Sequence, residues 1–89
     1  MKVCKRVYYT GRVQGVGFRY TAQHLAEQAG VTGYVRNLPT GEVELVVEGL
    51  PAQVEDFLAA VSQSMTGNIK DTRVQDEPPG GYSRFSIRH

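Results

Sequence analysis

Gly11-Arg12-Val13-Gln14-Gly15-Val16-Gly17-Phe18-Arg19 stands between two apolar patterns of different period. Upstream, Val3, Val7, Tyr9 and Val13 share one side of an alternating run, with Lys5 interrupting, while Arg6, Tyr8 and Arg12 share the other. That alternation predicts a half-buried strand. Downstream, Phe18, Ala22, Leu25 and Ala29 recur at helical spacing and Gly30 supplies a stop, so a helix is predicted over 19–29. The connection has no acidic residue and ends on an arginine. Glycine lets a backbone fold back so that successive N–H groups bear on one point. Amides converging ahead of a helix N-terminus attract an anion, because unpaired donors and the helix dipole point the same way. Arg19 adds a planar fork matched to phosphate oxygens. The stretch reads as a phosphate cradle, although it is neither Gly-x4-Gly-Lys-Ser/Thr nor Gly-x-Gly-x-x-Gly.

Beyond the helix, Val31 to Asn37 reads as a second strand. Leu38-Pro39-Thr40-Gly41 suits a type I turn, and Glu42 to Glu48 as a third strand completes a hairpin. In that third strand Val43, Leu45 and Val47 are expected to face the core, and Glu42, Glu44 and Glu48 to face water. Pro51 fits the first position of a second helix whose stripe is Val54, Phe57, Leu58 and Val61. Ile69 to Gln75 is a weaker strand, Glu77 to Gly81 a mobile loop, and Tyr82 to Arg88 a short closing strand. The order β-α-β-β-α-β predicts an α+β, ferredoxin-like sandwich over residues 1–89. Two helices should cover one face of an antiparallel sheet with main strand order 4-1-3-2. The pairing of the extra strand is not assigned by the pattern.

Length and composition bound the rest. Eighty-nine residues make one domain whose core is small but sufficient without staples. A net charge of +1 argues against a broad nucleic-acid-binding face and leaves room for a local anion site. Cys4 is the one cysteine, which rules out an internal disulfide and fits a small buried residue. No apolar run is long enough to span a membrane, and the first residues lack a signal-peptide apolar core, so a soluble cytoplasmic protein is expected. Monomer is the expected state.

The predicted topology also builds a site. Strands one and two, joined by a helical crossover, should run parallel. The cradle leaves the C-terminal end of strand one, and Asn37 ends strand two at the same sheet edge. One strand lies between them, which sets the two ends about 9–10 Å apart. A phosphate held by the loop and Arg19, with one water beyond it, fits that gap. Neither motif carries a His, Asp, Cys or Ser placed as base or nucleophile. No residues have metal-ligand spacing; His24 and His89 stand apart. A phosphate monoester is a hard substrate for such a site, because its alkoxide leaving group needs an acid or a metal. A carboxylic–phosphoric anhydride leaves as a carboxylate with a pKa of about 4, so charge stabilisation, positioning and a placed water suffice. Tyr8, Tyr20 and Tyr34 read as packing residues, His24 as a half-exposed helix residue, and Lys5, Arg6 and Arg12 as solvated.

Val13 to Arg19, read as Val-Gln-Gly-Val-Gly-Phe-Arg, resembles the signature of the acylphosphatase family. Gly33-Tyr34-Val35-Arg36-Asn37 followed by Gly41, Val43 and Gly49 resembles that family's second block, and Phe85 to Arg88 its terminal strand. Tyr9 stands where the family often has an aliphatic residue. The resemblance implies hydrolysis of acyl phosphates to a carboxylate and inorganic phosphate, with no cofactor, metal or covalent intermediate. It implies that Arg19 binds the phosphate and stabilises the transferring group, and that Asn37 orients the attacking water. It also implies that the backbone amides of Gln14, Gly15, Val16, Gly17, Phe18 and Arg19 line the cradle. The partners implied are a small acyl phosphate and phosphate itself, with no nucleic acid or membrane. Two competing readings are a regulatory domain that binds an anion without turnover and a ferredoxin-like RNA-binding module. The second would need aromatics on a central strand, and Glu42 to Glu48 supplies none.

Overall fold

The computed structural model describes all residues from Met1 to His89. The elements, in chain order, are β1 (Val3–Gly11), α1 (Phe18–Ala29), β2 (Thr32–Asn37), β3 (Val43–Gly49), α2 (Pro51–Ser64), β4 (Ile69–Glu77) and β5 (Phe85–Arg88). Both helices begin and end where local chemistry dictates. Gly17 and Gly30 flank α1 in the left-handed conformation, and the Gly30 N–H closes onto Ala26 O. Pro51 opens α2, and the Gln53 side chain accepts the Leu50 N–H at 3.1 Å.

The five strands form one sheet in the order β4-β1-β3-β2-β5. β1 and β2 both pair antiparallel with β3 and are therefore parallel to each other. β4 pairs antiparallel with β1 and extends to Glu77, so that residue belongs to a strand and not to the following loop. β5 pairs parallel with β2. The sheet is thus mixed and not wholly antiparallel, because the chain reaches its last strand by crossing over from the far edge. β2 and β3 meet with almost no clearance at Gly33: a Cβ there would lie 1.9 Å from Val46 O.

Both helices lie on one face of the sheet. Val7, Tyr9, Val35, Val43, Leu45 and Val47 project from the sheet into a single core with Val13 of the β1–α1 loop, Phe18, Ala22 and Ala26 of α1 and Val54, Phe57 and Val61 of α2. Phe57 packs edge-on against Phe85 of β5 with ring centroids 5.6 Å apart. Burying a side chain of that size is worth about 1.5–3 kcal/mol.

The opposite face is not the solvated face its polar residues suggest. Glu44 and Glu48 are both only 3% exposed. The Glu48 carboxylate accepts the backbone N–H groups of Gly80 and Gly81 at 2.6 and 3.2 Å, which anchors the segment between β4 and β5 over this face. Tyr82 of that segment packs with Cys4, Tyr34 and Val46 in a second, smaller apolar cluster. Arg6 is likewise not a solvated charge. It donates to Glu44 at 2.9 Å, to Tyr34 Oη at 3.2 Å and to the Glu77 carboxylate. Arg36 donates to the other Glu44 oxygen at 2.6 Å. Burial works to raise the Glu44 carboxyl, but the hydrogen bonds from Arg36 and Arg6 hold it below its ordinary value.

Candidate active site

The loop between β1 and α1 is shaped by Gly15 and Gly17, at φ +74° and +79°, with Val16 between them at negative φ. That alternation turns successive N–H groups toward one side, the geometry of an anion nest. A Cβ at either glycine meets no atom within 4 Å, so glycine is required there by conformation and not by crowding. The Thr21 N–H is the first to close back, onto Gly17 O at 3.0 Å. The N–H groups of Phe18, Arg19 and Tyr20 therefore have no helical partner. No side chain caps α1 and no acidic residue occupies its first turn, so nothing local competes for an anion. Beneath the loop, Phe18 packs on the Tyr9 ring with centroids 4.9 Å apart, and both side chains are buried. Burial pushes the Tyr9 hydroxyl well above its ordinary range, so Tyr9 serves as a neutral platform.

Asn37 ends β2 opposite Val43. One cavity of about 210 Å³ joins it to the cradle, lined by Val13, Gly15, Gly17, Phe18, Arg19, Tyr20 and Asn37. Asn37 Oδ1 is buried and has no hydrogen-bond partner within the protein. Leaving such an acceptor unpaired costs about 1–3 kcal/mol. A larger cavity of about 630 Å³ runs between α1 and β5 past Gln23, Glu27 and Arg84. It contains neither the cradle nor Arg19 nor Asn37, so its size carries no functional weight.

Gly15, Gly17, Phe18, Arg19 and Asn37 line the same cavity. Gln14 and Val16 belong to the same loop, where the expectation concerns their backbone amides and not their side chains: Val16 is 37% exposed, and the Gln14 side chain donates at 2.8 Å to both Leu38 O and Glu42 O. Tyr20 is not a packing residue; it is 67% exposed and stands at the cavity rim. His89 also reaches the site, where its Nδ1 accepts from Arg19 Nη1 at 3.2 Å. The parallel pairing of β5 with β2 explains that contact, since it delivers the end of β5 to the same sheet edge as Asn37. The polar segment around His89 carries no pattern that would announce it.

Comparison with known proteins agrees with this geometry. The family model described as Acylphosphatase matches residues 5–87. An acylphosphatase of a Synechococcus species is 47% identical over 88 residues, which cover 98% of this chain and 94% of that protein. An acylphosphatase of Methanospirillum hungatei is 44% identical over 81 residues, 89% of each chain. The crystal structure of acylphosphatase from Bacillus subtilis superposes with a TM-score of 0.88 at 33% identity, covering 98% of this chain and 99% of that one.

Proposed function

This chain belongs to the acylphosphatase family and hydrolyses acyl phosphates, and we propose that Arg19 and Asn37 carry the reaction. The cradle amides and the Arg19 fork take the phosphoryl oxygens and stabilise the charge that spreads over them as the group transfers. A water held by Asn37 Oδ1 attacks phosphorus. The P–O bond to the acyl group breaks, and its electron pair leaves on the carboxylate. The proton lost by the water passes to a phosphoryl oxygen, so the products are a carboxylate and dihydrogen phosphate. The leaving group needs no acid and no metal because its pKa is about 4. Cradle, arginine and asparagine come from one chain, and the working unit on this reading is the monomer, folded as a single domain.

The observations that support the Asn37 role most directly are the cavity Asn37 lines together with Arg19 and the absence of any partner for its Oδ1 within the protein. Asn37→Ala is expected to lower kcat on benzoyl phosphate by roughly 10²-fold while inorganic phosphate still inhibits within about threefold of wild type. A parallel loss of phosphate affinity and rate would contradict the water-orienting role.

A further inference from the structure

We propose that the Gln14 side chain is a positioning residue that fixes the spacing between the phosphate cradle and Asn37. The inference rests on the reading of Arg19 and Asn37 above and extends it to a side chain outside the cavity. Both Nε2 hydrogens of Gln14 are committed, one to Leu38 O and one to Glu42 O, each at 2.8 Å. These carbonyls form the neck of the β2–β3 turn, where Leu38 N–H donates to Glu42 O at 2.8 Å and Gly41 N–H to Leu38 O at 3.1 Å. Asn37 is the residue immediately before that neck. No other hydrogen bond joins loop 12–17 to turn 38–42.

The two halves of the site are otherwise joined only through the sheet, where Tyr9 and Asn37 both lie opposite Val43. The cradle is held by its glycine conformations, by Phe18 on Tyr9 and by α1. Asn37 is held by the β2–β3 ladder. Gln14 sits in the cradle and grips the far side directly, with a planar amide whose two donors fix distance and orientation together. The quantity it sets is the separation between a phosphorus in the cradle and a water on Asn37. Misplacing a reacting pair by about 1 Å can cost 10²-fold in rate.

Gln14→Met keeps the length of the side chain and removes both donors. With benzoyl phosphate as substrate and inorganic phosphate as competitor, this variant is expected to lose roughly 10–100-fold in kcat. The phosphate inhibition constant should stay within about threefold, because the backbone donors remain. In an Asn37→Ala background the same change should cost less than about twofold, since residues acting through one another are not additive. Unchanged kcat, equal losses in both backgrounds, or loss of phosphate affinity in step with rate would each overturn the proposal. Gln14→Glu gives an independent reading if the methionine variant does not fold. Its carboxylate repels both carbonyls, whereas its protonated form donates to one. The ratio of its kcat to that of wild type should rise as pH falls into the carboxylate range, and a flat ratio would overturn the proposal. A folded wild type that is inactive on benzoyl phosphate would overturn the reading of the site itself. An active wild type with an indifferent Gln14 would remove only this inference.

Discussion

Lysine at position 19 would bring the same charge into the cavity as Arg19 but not the same shape. A guanidinium presents a rigid fork to two phosphoryl oxygens, whereas an ammonium is a single strongly hydrated point. On the proposed role of Arg19, Arg19→Lys should lose activity nearly as completely as Arg19→Ala, by about 10²-fold or more. Recovery to within tenfold of wild type would mean that charge alone is what the site needs, and steady-state rates on benzoyl phosphate decide it. An arginine at a glycine-loop exit and an asparagine at a strand end have ordinary uses too, as a solvated charge and a turn residue, and it is the topology and the resemblance that single out Arg19 and Asn37. Gln14 was legible only as a backbone donor. Its side chain acts across 24 and 28 residues of sequence, on carbonyls that no local pattern singles out.

β3 shows what a strand's alternation does and does not specify. Its period of two assigned Val43, Leu45 and Val47 to the helix side, where they are buried. The same period put Glu44 and Glu48 on the other side, and the expectation that they face water fails there, because alternation names a face and not what covers it. What covers it is the segment after β4, together with Arg6 and Arg36, all brought there by tertiary contacts. The cluster has a pH consequence. The Arg6 hydrogen bond holds Glu77 below its ordinary value, and Glu44 is likewise depressed despite its burial. A carboxylate depressed in the folded state contributes stability at neutral pH, and that contribution is lost as pH falls through the folded value. Wild type should therefore be more stable than Arg6→Met near pH 7. That advantage should shrink once pH drops below about 4. Urea midpoints across the pH series check this, and an advantage constant down to pH 3 would contradict it.

In the whole molecule, function follows from which strand ends share an edge. The crossover β1-α1-β2 makes β1 and β2 parallel, with β3 between them, and so sets the cradle against Asn37. That much was legible, because the handedness and order of a split βαβ unit leave few alternatives. The place of β5 was not, since a four-residue strand has too few positions for its pattern to specify a neighbour. Its pairing with β2 both mixes the sheet and brings His89 to Arg19. The central claim is that this edge hydrolyses acyl phosphates through the cradle and Arg19. The most direct test is hydrolysis of benzoyl phosphate by wild type and Arg19→Ala, each with a chelator present and each shown to be folded. Turnover by wild type that survives the chelator and falls by about 10²–10³-fold in the variant is the predicted result. Activity of Arg19→Ala within threefold of wild type, or no turnover by the folded wild type, would contradict it.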